Sequence, residues 1–166
     1  MTTDSVTILP PAHALTGKVS PPGSKSITNR ALLLAGLAKG TSRLTGALKS
    51  DDTRYMAEAL RQMGVTVEEP DATTFVVTSA GELKAPAAPL FLGNAGTAFR
   101  PLTAALALAG GEYEISGVPR MHERPIGDLV DALRPLGCVV ECLANEGYPP
   151  LRLAGGQLDL SRPIQV

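Results

Sequence analysis

The stretch Pro21-Pro22-Gly23-Ser24-Lys25-Ser26-Ile27-Thr28-Asn29-Arg30 is a small, polar, cationic turn that runs directly into the apolar helix pattern Ala31-Leu32-Leu33-Leu34-Ala35. Its composition suits an anion. Gly23 permits close backbone approach of a ligand, the free N–H groups of a helix's first turn point outward, and the helix dipole adds partial positive charge. Lys25 and Arg30 supply full charges, and Ser24, Ser26 and Thr28 can both cap the helix and donate hydroxyl hydrogen bonds to a phosphate or carboxylate. The string is not a Walker loop, because no glycine directly precedes the lysine in G-S-K-S. The alternative for this stretch alone is an ordinary capped helix with two solvated charges.

Outward from the turn, the spacing predicts a helix over about 26–38 that stops at Gly40, then a strand over 41–46. Ser50-Asp51-Asp52 opens a second helix, with both aspartates read as capping residues, and Tyr55, Met56, Ala59, Leu60 and Met63 follow helical spacing up to Gly64. Residues 65–68 and 75–79 read as paired strands joined by a Pro70-Asp71 turn. Residues 6–20, before the turn, read as an extended segment.

The second half repeats this order. Arg30, Leu32, Ala35 and Gly40 align with Arg100, Leu102, Ala105 and Gly110 at an offset of 70 residues, and Ala59, Leu60, Arg61, Gly64, Val67 and Glu68 align with Ala132, Leu133, Arg134, Gly137, Val140 and Glu141 at 73. Each copy therefore reads β-α-β-α-β-β over about 70 residues. In the second copy the expected helices run over 97–109 and 126–136, with strands at 90–92, 113–115, 138–143 and 151–153. Where copy one has Gly23-Ser24-Lys25-Ser26, copy two has Gly93-Asn94-Ala95-Gly96-Thr97, so two similar helix starts can converge on one anion or on adjacent ones. Packing of a duplicated unit, with glycines in tight turns, is the alternative. Arg124 precedes Pro125, which suits a helix's first turn, and so stands where a third cationic group can reach the same cleft; the other reading is an exposed charge run.

With 166 residues the chain can bury a core, and 44% hydrophobic residues against 19% charged and a net charge of −1 provide no electrostatic case for nucleic acid or an anionic membrane as partner. Aromatic residues are 4% with no tryptophan, which leaves no stacking platform for single-stranded nucleic acid. No apolar run reaches membrane-spanning length and residues 1–5 lack a signal-peptide pattern, so the chain is expected in the cytoplasm. Cys138 and Cys142 share one face of a strand and read as reduced, half-buried thiols, and His13 and His122 have no metal-ligand company. No metal is expected.

Taken together, P-G-S-K-S-I-T-N-R-A-L-L-L-A at 22–35, L-F-L-G-N-A-G-T-A-F-R-P-L-T-A at 90–104, E-R-P-I-G-D-L-V-D-A-L at 123–133 and Y-P-P-L-R at 148–152 resemble the 5-enolpyruvylshikimate-3-phosphate synthase family. The related enolpyruvyl transferase acting on UDP-N-acetylglucosamine shares the repeat fold but differs in these loops. The resemblance implies an α/β fold, an enolpyruvyl transferase-like inside-out lobe of repeated βαβαββ units with helices inside and sheets outside. Family members have two lobes of three units each with the active site between them, so this chain corresponds to an incomplete N-terminal portion holding two of three units. Residues 1–20 would be the leading segment that joins the other lobe, and 21–166 the N-terminal lobe. Unit one spans about 21–86, unit two about 87–157, and a third opens at 158–166. The implied reaction is transfer of the carboxyvinyl group of phosphoenolpyruvate to the 5-hydroxyl of shikimate 3-phosphate, in chorismate and aromatic amino-acid biosynthesis, with no cofactor. Lys25 would be catalytic and contact both substrates, Ser26 and Arg30 would bind shikimate 3-phosphate, and Gly96 and Arg124 phosphoenolpyruvate. Thr28, Phe99 and His122 depart mildly from the family pattern. The missing C-terminal portion would be the partner that completes the cleft, and the chain alone is expected to be inactive. The alternative is a non-catalytic anion-binding or complementing fragment.

Overall fold

Ser24 adopts an extended conformation (φ −81°, ψ 125°) and its hydroxyl accepts the Ile27 N–H at 3.4 Å, which opens helix α1 (Lys25–Leu37) one residue earlier than its spacing predicts. In this computed structural model residues 6–10, 14, 16–159 and 161 are described; His13, parts of the leading segment and most of the third unit's expected opening at 158–166 lie outside them. After α1 come β1 (Gly40–Leu44), α2 (Asp51–Gln62), β2 (Thr66–Asp71) and β3 (Thr74–Ser79). The second unit follows with β4 (Leu90–Phe91), α3 (Gly96–Ala109), β5 (Tyr113–Ser116), α4 (Pro119–His122), α5 (Gly127–Leu133), a 3₁₀ turn at Arg134–Leu136, β6 (Val139–Cys142) and β7 (Leu151–Ala154).

Three local expectations change. Pro70 lies inside β2 and the turn falls at residues 72–73. β2 is an edge strand whose register shifts between Glu68 and Asp71, where a residue without an N–H removes no ladder bond. Pro125 precedes the N-cap Ile126, so the helix begins at Gly127 and not at the proline. The four-residue α4, led by Pro119, was not expected, because one turn is too short to show a helical apolar period.

The duplication is visible in the sheets. The first has the order β1-β3-β2 and the second β4-β5-β7-β6, with β3 and β7 each antiparallel to both neighbours. Aligned arginines repeat one contact. Arg61 donates through Nε and Nη2 to the Val67 carbonyl at 3.0 and 2.7 Å, and Arg134 donates in the same way to the Val140 carbonyl at 3.0 and 2.9 Å. The units differ at the leading strand. β4 pairs in parallel with β5, whereas residues 16–20 form no strand and are exposed, so the outer edge of β1 is unpaired among the described residues.

α1, α2 and α3 pack against one another, and Leu32, Met56, Leu60, Phe99, Leu102 and Ile115 are fully or almost fully buried in a core continuous through both units. Burying each such side chain contributes about 1.5–3 kcal/mol. The outward face of the second sheet carries Glu114, Arg152 and Glu141 side by side, with Arg152 3.7 Å from Glu114 and 3.2 Å from Glu141. Helices inside and a charged sheet face outside is the predicted arrangement. Ile27 and Leu34 remain exposed on α1.

Arg61 also reaches Glu69 at 2.9 Å, and its hydrogen bond, helped by Lys49 at 3.0 Å, holds the Glu69 carboxyl below its usual range. A lowered folded pKa means stability that is present above the unfolded value of about 4.3 and lost as pH falls through the folded value. Wild type should therefore exceed Glu69→Gln in stability by about 1 kcal/mol or less at neutral pH, the pair being partly exposed. In urea titrations across pH that gap should close below about pH 4; a gap that widens in acid would contradict the pairing.

Candidate anion site at the helix N-termini

The turn before α1 is seated by its neighbour at residues 46–48. A Cβ built on Gly23 would lie 2.3 Å from the Gly46 carbonyl oxygen and 2.6 Å from the Leu48 nitrogen, a backbone clash that only glycine avoids. Thr28 Oγ1 accepts the Leu48 N–H at 3.0 Å and closes the same contact from the helix side. The N–H groups of Lys25 and Ser26 have no hydrogen-bond partner among the described residues, so the first turn presents free donors at the positive end of the dipole.

Lys25 and Asn29 lie one turn apart on the face of α1 toward the second unit. Lys25 Nζ stands 3.1 Å from Asp52 Oδ2 in α2, and the same carboxylate oxygen accepts the Thr97 hydroxyl at 3.3 Å. Asn29 Nδ2 donates to Thr97 Oγ1 at 2.8 Å. The chain of contacts crosses the boundary between units. Ser26, half-buried, and Arg30, exposed, form the adjacent stripe and have no side-chain partner among the described residues.

The second loop is built differently from the first. The Gly96 N–H turns back to the Asn94 carbonyl at 2.9 Å, and Ala95 caps α3 without a side-chain bond. Its cation comes from elsewhere: Arg124 Nη1 donates to the Asn94 carbonyl at 3.0 Å, and a Cβ on Gly96 would fall 2.6 Å from Arg124 Nη2 and 2.8 Å from Cζ. Glycine leaves the guanidinium room to lie against the start of α3. Arg100 Nη2 donates to the Pro125 carbonyl at 2.6 Å and ties the loop that carries Arg124 to α3.

Lys25, Gly96 and Arg124 are therefore brought to one region, linked through Asp52 and Thr97, with Ser26 and Arg30 beside them. Thr97 belongs to the second glycine loop expected to converge here, though with no role of its own; Asp52, Asn29 and Arg100 are additions. Asp52 belonged to a helix start and Asn29 to a polar helix position, while Arg100 stood out only through its alignment with Arg30. A groove of about 430 Å³ beside the first turn is lined by Ser24, Ile27, Thr28, Ala31, Arg43 and Leu44; it takes in two of the hydroxyls read as anion donors but not Lys25, Ser26, Arg30, Gly96 or Arg124. Among the described residues no group of three or more His, Cys, Asp and Glu is placed to hold a metal, and no helix is long and apolar enough to cross a membrane. Cys138 and Cys142 are free thiols, and burial pushes the Cys138 thiol up, so it stays protonated at neutral pH.

Gly96→Ala should displace the Arg124 guanidinium by about 1 Å, the distance needed to restore ordinary carbon contact. The Arg124 Nε–H resonance and the amides of 94–97 should shift while those of 23–30 stay in place. An unchanged Arg124 signal would refute the close packing.

The EPSP synthase (3-phosphoshikimate 1-carboxyvinyltransferase) family model matches residues 9–164. The chain is 64% identical over 153 residues to a 3-phosphoshikimate 1-carboxyvinyltransferase of Rhizobium leguminosarum, covering 92% of this chain and 36% of the relative. It is 58% identical over 158 residues to that of Bordetella pertussis, covering 95% and 36%. A solved EPSP synthase of Acinetobacter baumannii superposes with a TM-score of 0.80 at 32% identity, over 86% of this chain and 33% of that one. The chain thus spans little more than a third of the length of these curated relatives. With its two repeated units and both glycine loops inside the matched region, the chain belongs to the EPSP synthase (3-phosphoshikimate 1-carboxyvinyltransferase) family.

Proposed function

We propose that this chain forms one wall of a cleft in which the carboxyvinyl group of phosphoenolpyruvate passes to the 5-hydroxyl of shikimate 3-phosphate with release of phosphate. The observation that carries the reading is that Lys25 and Thr97 meet on the same oxygen of Asp52, Thr97 being next in sequence to the Gly96 on which Arg124 rests. Two polyanionic substrates repel each other, and a tetrahedral intermediate bearing phosphate and carboxylate keeps that charge, so cations and helix N-termini must be in place before they meet. In this reading Lys25 contacts both substrates, Ser26 and Arg30 hold shikimate 3-phosphate, and Gly96 and Arg124 hold phosphoenolpyruvate. Residues 1–20 lead toward the other lobe, 21–86 and 87–157 form two units of the N-terminal lobe, and 158–166 opens a third. In this reading the missing C-terminal portion supplies the opposite wall of the cleft, so the chain by itself is expected to be inactive.

A coupled phosphate-release assay should read near background for the 166-residue chain and rise when a separately made C-terminal portion is added. Turnover by the chain alone would refute the need for a second wall, and silence of the mixture would favour a non-catalytic anion binder. Binding by the chain alone should be weak, because a solvent-open charge pair is worth about 1 kcal/mol or less and salt screens it. Inorganic phosphate should shift the amides of 23–30 in a salt-sensitive titration and those of 94–97 less. Lys25→Glu should abolish the response and leave the fold intact; shifts that survive it would move the anion site elsewhere.

A further inference from the structure

Asn29 is fully buried, yet among the described residues its side chain makes one hydrogen bond and its Oδ1 has no partner. A buried amide that leaves its carbonyl unpaired must secure something with its N–H. That N–H goes to Thr97 Oγ1, and the hydroxyl has a single proton to give. Because Thr97 accepts from Asn29, its proton is directed to Asp52 Oδ2, the same oxygen that faces Lys25 Nζ. Turning the amide over would spend the Thr97 proton on Asn29 and set the hydroxyl's lone pairs against the carboxylate, so the polarity of the chain is settled by Asp52 being an acceptor only.

We propose that Asn29, acting through the Thr97 hydroxyl, is a positioning residue that fixes Asp52 and with it the Lys25 ammonium at the anion site. The proposal rests on the reading of Lys25 as a substrate-binding cation. Lysine carries its charge on a flexible four-carbon stem, and a pocket open to water does little to hold it. A carboxylate with a fixed direction removes that freedom before any anion arrives and takes one of three ammonium donors, leaving two for a ligand. Through this link the first unit's cation depends on the second unit, because Thr97 opens α3 while Asn29 and Asp52 belong to α1 and α2.

Asp52 itself is a poor test, since removing its charge loosens Lys25 and at the same time relieves Coulombic opposition to an anion. Substitutions that leave the charge unchanged separate the two. Thr97→Val keeps the shape and removes the hydroxyl, Thr97→Ser restores it, and Asn29→Leu fills the same space while abolishing the orphan carbonyl. The 166-residue chain is titrated with inorganic phosphate at several salt concentrations, followed by the amides of 24–30. Exchange of the Lys25 ammonium protons with water is measured in parallel on ¹⁵N-lysine-labelled protein.

Thr97→Val should weaken phosphate binding by about three- to tenfold, the range of one lost hydrogen bond, with an unaltered salt slope because no charge has changed. Thr97→Ser should recover most of the affinity. Asn29→Leu should weaken binding without lowering the unfolding temperature, a combination that a purely structural link would not produce. Faster Lys25 ammonium exchange in Thr97→Val and Asn29→Leu should accompany both losses. If exchange and affinity are unchanged in either folded variant, the positioning role is wrong, and Asn29→Leu serves the test should Thr97→Val fail to fold. If wild type itself ignores phosphate, the anion reading fails. Ammonium exchange then still decides whether Asn29 and Thr97 hold Lys25.

Discussion

Cations gathered where helices begin are unfavourable neighbours for the helices themselves. The N-termini of α1 and α3 already carry partial positive charge, and Lys25, Arg30, Arg100 and Arg124 add full charges around them. Two unit charges 4 Å apart cost about 1 kcal/mol even in water. The fold offsets this with an acceptor for three of the four: Asp52 for Lys25, the Asn94 carbonyl for Arg124 and the Pro125 carbonyl for Arg100. Among the described residues Arg30 has no such acceptor and stays exposed, where water solvates it. The cations at the two helix starts are thereby held in place within the folded chain.

Duplication is what puts these groups within reach. Each unit feeds a glycine-bearing loop into a long helix, and because α1 and α3 pack together their loops lie side by side. The shared framework extends to the edges of the sheets, where Arg61 and Arg134 pin equivalent carbonyls of Val67 and Val140. On that common frame the two loops have diverged. The first leaves backbone donors free and provides its own lysine, while the second folds its donor back and receives an arginine from a loop almost thirty residues later.

Much of this was legible in the chain's own residues. Apolar periodicity located every long helix to within about two residues, since burial of one face enforces that spacing. The repeat offset exposed the two-unit architecture, and the turn at 21–30 declared a cationic helix start. Short elements were not legible. One turn of α4 has no period to detect, and Pro70 is ambiguous in sequence because a proline permits a turn and an edge strand equally well until the sheet's outer strand is known.

For the candidate site the division follows range. The residues of one turn, Gly23 to Arg30, come as a unit because they are adjacent in sequence, and the chain by itself determined their grouping. Which other groups face them was decided only by tertiary packing. Asp52 and Thr97 are 27 and 72 positions from Lys25, and their contact exists because α1, α2 and α3 bury their apolar faces against one another. Local sequence specifies a helix start and its charge; the partner of that charge is set by nonlocal hydrophobic packing, which no local pattern encodes.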